Sequence, residues 1–314
     1  MSDLPRISVV TPSYNTGRYI DATIRSILGQ DFAEVDYLVM DGGSTDNTLD
    51  VLKSFGSAIR WESQSDSGQA DAIHGGFERT TGDVLTWLNA DDTFAPGALR
   101  TVAAFFAANP DIALVYGDAQ YIDGNGSVIG PCAHIEPFNV NRLRCYSDFI
   151  VQPAAFFRRS AYEAVGGLDK SLHYGMDYDL WLKFAGKFKV AYLPTLLANY
   201  RWLTENKTAT GGFRRLNEIT ELVARYGFNQ PAYIRLERVN LLLRDSLAAL
   251  RRGAILPSLV PAGRAFKTLF ASPRAVASMF YPRTWRIIWM GQVLRARAAR
   301  AQLERDAGFK SAPA

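Results

Sequence analysis

Four short apolar runs near the start of the chain each end in polar residues, and between them apolar positions recur at helical spacing. RISVVTPSY begins at residue 6, DYLVMD at 36, AIRWES at 58 and DVLTWL at 83. Ile20, Ile24, Ile27 and Leu28 follow the first run at intervals that share one helix face. STDNTLDVLKSF follows the second and opens with a capping-type cluster. SGQADAIHGGFERTTG follows the third, with Ala70, Ile73 and Phe77 on one side, and PGALRTVAAFFAANP follows the fourth with proline near its start. This alternation predicts an α/β fold, a mostly parallel, Rossmann-like central sheet with helices on both faces. In such sheets ligands bind beyond the carboxyl ends of the strands. Thr11, Ser13, Tyr14 and Asn15, then Asp41 with Gly42-Gly43, then Asp66, then Asp91-Asp92 therefore arrive on a single rim.

The remainder is less regular. ALVYGDAQYIDGNGSVIG reads as a hairpin turning at Asp123-Gly124-Asn125-Gly126, AAFFRRSAYEAVGG as a strand and helix, and MDYDLWLKFAGKF as a helix with Leu180, Leu182 and Phe184 partly buried. Residues 211–252 read as helical with a break near Pro231. Charge is uneven: residues 251–314 hold 12 Lys/Arg and 2 Asp/Glu, leaving 23 against 29 for the preceding 250. Cys132 and Cys145 fit neither a zinc pattern nor a disulfide framework, which favours a reduced, cytoplasmic setting. MSDLPRISVV carries no leader pattern, and no apolar run reaches the ~18 residues of a membrane span.

Two clusters carry chemistry on their own terms. The Gly42-Gly43 pair permits close backbone approach to a polar ligand, or is simply a strand-to-helix turn. Asp91-Asp92 reads either as a helix cap beside a solvated carboxylate or as the grip of Mg2+ or Mn2+ on a diphosphate, because such hard ions take one or two protein carboxylates plus phosphate oxygens. Asp177, at the start of MDYDLWLKFA, reads from the residues alone as a helix N-cap, and Asp179 as decoration of the helix face or a partner of its dipole.

Taken in order and spacing, ISVVTPSYN, DGGSTDNT, SDSGQADAIHGG and WLNADD resemble the nucleotide-sugar half of family 2 glycosyltransferases with the GT-A fold, over roughly residues 5–205. The resemblance implies a GT-A domain over 1–210, with a nucleotide-sugar half to about 116 and an acceptor half over 117–210, and a helical C-terminal region over 211–314. It implies a nucleotide-sugar site of Thr11, Pro12, Tyr14, Asn15, Asp41, Asp66, Gln69 and Asp91, a metal on Asp92 first with Asp91 as helper, and Asp177 as catalytic base. The reaction implied is metal-dependent transfer, with inversion, from a donor, UDP-linked by family habit, to a hydroxyl of a cell-envelope or exopolysaccharide acceptor, glycan or lipid-linked glycan. Two departures stand out: Asn89 occupies a position where many relatives carry Asp, and Met176 precedes Asp177 where relatives carry Glu.

Other residues weigh less. Gln152 and His173 are candidates for the acceptor side, against backbone support for the first and a plain loop histidine for the second. His74 falls near the implied diphosphate or on a partly exposed helix face. Arg201-Trp202 lacks the Q-x-x-R-W arrangement of processive relatives, which favours addition of a single sugar. In the basic segment 257–314, aromatics interleave with arginines in a pattern suited either to an anionic membrane surface or to packing on protein, including another copy. No nucleic-acid recognition module accompanies the charge. A nucleotidyltransferase and a non-catalytic carbohydrate-binding scaffold remain as alternatives, the first weakened by the poor phosphate loop TPSYNTGRY.

Overall fold

The computed structural model describes residues 4–270, apart from 146–147, 204 and 229–231. The basic tail anticipated from the sequence lies outside the described residues from 271 onward. Strands are β1 (Ile7–Ser13), β2 (Val35–Asp41), β3 (Arg60–Ser63), β4 (Val84–Trp87), β5 (Thr93–Phe94), β6 (Ile112–Ile122), β7 (Val128–Pro131), β8 (Ala155–Arg158) and β9 (Lys189–Arg201). Helices are α1 (Ile20–Leu28), α2 (Thr48–Ser54), α3 (Gln69–Glu78), α4 (Ala98–Ala108), α5 (Val140–Cys145), α6 (Arg159–Ala164), α7 (Met176–Lys187), α8 (Lys207–Thr210), α9 (Gly212–Arg225), α10 (Ala232–Arg251) and α11 (Ile255–Phe270). Two compact units emerge: Met1–Phe138 with Phe149–Arg201, and Asn139–Asp148 with Trp202–Ala314.

The first unit holds a nine-stranded sheet in the order β3-β2-β1-β4-β8-β6-β9-β5, with β7 paired to β6. Pairing is parallel across β3-β2-β1-β4 and again between β6 and β9. It is antiparallel at β4/β8, β6/β8, β6/β7 and β5/β9, so the sheet is mixed in its second half. Every residue of β1 is buried, as befits a central strand covered on both faces. The register aligns Ser13 with Asp41 and Asp41 with Ser63, which makes the carboxyl ends of the first three strands level. Leu88 N–H donates to the Val10 carbonyl at 3.0 Å, which brings the exit of β4 to the same rim.

Helix packing follows the apolar spacing. Ile20, Ile24 and Ile27 of α1 and Ala70, Ile73 and Phe77 of α3 are buried, each isoleucine contributing about 2 kcal/mol by leaving water. Gly76 is required on α3, because a Cβ there would stand 2.5 Å from the Val10 side chain of β1. Leu180, Leu182 and Phe184, expected to be partly buried, are buried outright with Trp181. The Trp181 ring stacks on Trp87 with centroids 6.0 Å apart, and Phe157 meets both edge-on at 6.1 Å. That aromatic stack fixes α7 against the end of β4, two chain segments far apart in sequence.

In the second unit Leu216, Ile219, Leu222 and Val223 form the buried side of α9. The turn after α10 passes through Gly253 at φ 75°, and the Ala254 N–H returns to the Ala249 carbonyl at 3.0 Å, a left-handed helix stop that glycine adopts without penalty.

Candidate functional site

The loops after β1 and β2 are tied together by side chains the sequence assigned to ligand binding. Asp41 is buried, and its Oδ2 accepts from the N–H groups of Gly43 (3.1 Å) and Ser44 (3.0 Å) and from the Ser63 hydroxyl (2.7 Å). Its Oδ1 accepts from the Ser44 hydroxyl. Contact with a nucleoside would therefore share an oxygen that already shapes the loop, which a carboxylate allows through its second lone pair. Asn15 adopts φ 52°, a conformation that asparagine tolerates. Its Oδ1 accepts the N–H groups of Thr45 (2.8 Å) and Asp46 (3.3 Å), locking the first loop to the second. Asp66 is exposed and reaches back over Gly42, where a Cβ would stand 2.8 Å from its Oδ2. Tyr14 stands 62% exposed beside them. Thr11 is fully buried, its hydroxyl accepting from Tyr37 at 3.2 Å, and Pro12 is buried next to it. The side chain of Thr11 faces the protein interior and leaves only its main chain for a ligand.

The exit of β4 resolves the paired carboxylates into two different roles. Asp92 is 0% exposed. Its Oδ1 accepts the main-chain N–H of Arg201 at 2.8 Å, its Oδ2 accepts the Asn89 amide at 3.3 Å, and its carbonyl accepts the Thr23 hydroxyl at 2.7 Å. Burial pushes its pKa well above the ordinary carboxylate value, the neighbouring Asp91 adds to the rise, and the Arg201 and Asn89 donors oppose it. Both carboxylate oxygens of Asp92, the residue expected to be the first metal ligand, accept from protein donors at the β4 exit and on β9, and its main-chain carbonyl ties the turn to α1. Asp91 has intermediate exposure and is the carboxylate at this turn with access to solvent.

Asn89 explains its own departure from an acidic pattern. Its amide donates to Asp92 Oδ2 and to Gln152 Oε1 (3.2 Å), while its oxygen accepts from Gln69 Nε2 at 2.7 Å. A carboxylate can accept the last of these bonds and donate neither of the others. Gln152, expected at the acceptor, is buried and donates to the Trp87 carbonyl at 2.7 Å, so both of its polar atoms brace the end of β4. Substitution of Asn89 by Asp should accordingly destabilise the protein by about 2–3 kcal/mol through lost donors and a further, partly buried carboxylate beside Asp92. Urea unfolding at pH 7.5 checks this, and an Asn89→Asp variant of undiminished stability with tighter Mn2+ binding would mean that the amide wiring is dispensable.

Arg201, read in the sequence only against the Q-x-x-R-W arrangement, proves central to the wiring of this turn. Beyond its main-chain bond to Asp92, its guanidinium donates to the carbonyls of Asp91 (2.7 Å) and Asp123 (2.6 Å) and lies 5.1 Å from the centroid of the Tyr19 ring. One buried arginine at the end of β9 thus latches the acidic turn to the Asp123 hairpin and to α1. Its signal was present as a lone cation closing the run LLANYR, but nothing in one dimension says what it touches.

Asp177 lies in the first turn of α7, whose N-cap is Gly175, so the cap expected of Asp177 is supplied by its neighbour. The carboxylate has intermediate exposure, accepts the Tyr178 N–H at 2.8 Å, and stands where a helix terminus favours an anion. Asp179 is buried and paired with Lys183 at 2.7 Å, not a surface decoration. Trp181, one turn beyond Asp177, is the ring that stacks on Trp87, two residues before Asn89. His173 is exposed, its ring edge-on to Tyr174 at 4.7 Å. His74 bonds Tyr162 Oη through Nδ1 at 3.2 Å and faces Glu78 at 3.4 Å through Nε2, so both ring nitrogens are engaged within the protein.

Among the described residues no group of three or more His, Cys, Asp or Glu side chains forms a metal cage. The half-exposed carboxylate of Asp91 still fits a hard divalent cation of the kind that takes one or two protein oxygens and completes its shell with phosphate and water. Asp92 does not fit, for the reason of burial given above.

Comparison with known proteins places this geometry. The profile described as Glycosyl transferase family 2 matches residues 8–166. An uncharacterized glycosyltransferase of Nostoc sp., alr2836, is 34% identical over 128 residues, 40% of this chain and 39% of that protein. Chondroitin synthase of Pasteurella multocida is 28% identical over 191 residues, 59% of this chain and 20% of that protein. The match thus spans about two fifths or less of the length of these relatives. The crystal structure of S. aureus TarS 1-349 in complex with UDP-GlcNAc aligns with a TM-score of 0.59 at 15% identity, covering 84% of this chain and 81% of that one. The mannosyltransferase PcManGT from Pyrobaculum calidifontis, in complex with GDP-Man and Mn2+, aligns with a TM-score of 0.58 at 18% identity over 95% and 87% of the two chains. At such identities the likeness is one of fold.

Proposed function

Because the chain belongs to the family 2 glycosyltransferases and carries their GT-A fold, we propose that it transfers one sugar from a nucleotide-sugar donor to a hydroxyl of a glycan or lipid-linked glycan acceptor, with inversion at the anomeric carbon. The observation that carries this reading is the convergence on one rim of the Tyr14–Asn15 loop, the Asp41–Asp66 corner and the Asp91 turn, with α7 stacked against the same strand end. Tyr14, Asp41 and Asp66 hold the nucleoside, with Asn15 and Gly42 setting the loop geometry. Gln69 and Asn89 keep the Asp91 turn in position.

Asp91 would hold Mg2+ or Mn2+, which when bound neutralises the charge that develops on the departing diphosphate. Asp177 takes the proton of the acceptor hydroxyl as its oxygen bonds to the anomeric carbon and the bond from that carbon to the donor phosphate breaks. One displacement of this kind inverts the configuration. UDP-linked hexoses are the first donors to test, supported by the UDP-GlcNAc bound to TarS, and a cell-envelope or exopolysaccharide acceptor is supported by the polysaccharide-synthase names among the relatives. A location at the cytoplasmic face of the membrane agrees with a donor made inside the cell.

The test is transfer from a panel of UDP-, GDP- and dTDP-sugars to glycan acceptors, with Mn2+, with Mg2+ and with chelator. Transfer from one donor class, lost in chelator and lowered ~10²-fold by Asp91→Asn, is the expected result. Activity undiminished in chelator removes the metal, and nucleotidyl rather than glycosyl products would overturn the reaction class.

A further inference from the structure

The hairpin of α10 and α11 is packed opposite to the usual sense for helices surrounded by water. Small side chains lie between the two helices: Ser246, Ala249, Ser258 and Ala265 are buried, and the Ser246 hydroxyl donates to the Ser258 carbonyl at 2.8 Å. Leu242 is buried, but other large apolar side chains of this hairpin face outward. Leu243, Leu247 and Leu250 are 46%, 55% and 46% exposed, and Ile255, Leu259 and Val260 are 68%, 59% and 57% exposed. Spacings of four and three place the leucines of α10 on one face, and Ile255 and Leu259 share a face of α11. Water gains nothing from such an arrangement, and an exposed apolar patch of this kind marks an interaction surface.

The charge beside the stripe identifies the partner. Residues 232–270 hold seven Lys/Arg and two Asp/Glu. Arg244 and Arg251 fall on the flank next to the leucine stripe of α10, and Arg264 and Lys267 belong to α11. A second copy docking face to face would oppose two surfaces of the same positive sign. No helix among the described residues is long and apolar enough to cross a membrane. We propose that the α10–α11 hairpin lies flat on an anionic lipid bilayer, its leucine and isoleucine side chains in the interface and its arginines at the headgroup phosphates. The surface extends the lipid contact expected of 257–314 back to residue 243.

Flotation of the full chain with vesicles tests it, and because no donor is present its outcome is separate from that of the transfer assay. The protein should float with phosphatidylcholine–phosphatidylglycerol vesicles at 0.1 M salt, where the Debye length of about 10 Å limits attraction to charges close to the headgroups, and stay behind with phosphatidylcholine alone. The double variant Leu247→Glu with Leu259→Glu should bind at least ~10-fold more weakly, and Arg244→Glu with Arg251→Glu should lose the preference for anionic lipid. Both pairs are surface changes, and circular dichroism with thermal melting confirms that each variant is folded. Wild-type protein that ignores vesicles, or a Leu247/Leu259 variant that floats like wild type, overturns the proposal. So does sedimentation showing that the same variant abolishes a dimer while vesicle binding is absent, which would assign the face to a second copy.

Discussion

Replacing Asp177 by Asn should lower kcat by ~10²–10⁴ and leave donor affinity nearly unchanged. The substitution removes the proton acceptor while keeping the size and shape of the side chain. The N-cap of α7 is Gly175, and the bond that Asp177 accepts from the Tyr178 N–H is equally available to an amide oxygen. The helix is held from its other side by Trp181 on Trp87 and by buried Leu180, Leu182 and Phe184, none of which senses the change. The melting temperature should therefore stay within a few degrees of wild type. Single-turnover transfer with saturating donor, beside a titration of donor binding, separates the two quantities. Near-normal turnover in Asp177→Asn excludes Asp177 as the base, and a parallel loss of donor affinity would place it in binding instead. Asp179, two residues on, is a control for charge alone, being buried and paired with Lys183.

The second large effect is expected at Arg201. Its replacement by Ala withdraws the donors from the Asp91 and Asp123 carbonyls and the cation from the Tyr19 ring, while the main-chain N–H continues to serve Asp92. Losing two hydrogen bonds from a charged donor in a buried setting costs about 3–4 kcal/mol, a fall in melting temperature of roughly 10 °C for a chain of this size. Turnover should fall as well, because the Asp91 carbonyl that Arg201 holds belongs to the proposed metal-binding residue, and a displacement of about 1 Å near the reacting atoms costs ~10²-fold. Arg201→Lys should recover little of either, since an ammonium cannot reproduce a planar fork that meets two carbonyls at once. Thermal denaturation and kcat/KM measured on the same preparations decide the matter: an Ala variant that melts and turns over like wild type would show that the turn holds itself.

Much of the site was legible in one dimension. Asp41, Asp66 and Asp91 each end an apolar run, and the rule that parallel strands present their carboxyl ends together brought them to one rim before any coordinate was known. The α7 helix with Asp177 in its first turn was legible for the same kind of reason, a local pattern with a local cause. What the sequence left open depended on burial. Asp91 and Asp92 are indistinguishable by type and adjacent in sequence, yet one keeps access to solvent while the other is enclosed by Thr23, Asn89 and Arg201, contributed by three separate segments. Gln152 was read with equal weight as an acceptor contact, from the resemblance, or as backbone support, and its partners Trp87 and Asn89 lie more than sixty positions away.

The amino-acid order by itself determined the alternation of strand and helix, the family, and the set of polar side chains delivered to the rim, because periodicity and strand direction are properties of neighbouring residues. Only the tertiary structure decided which of those side chains keeps access to solvent and which is enclosed within the fold. That choice rests on how many buried donors, from distant segments, already surround each oxygen.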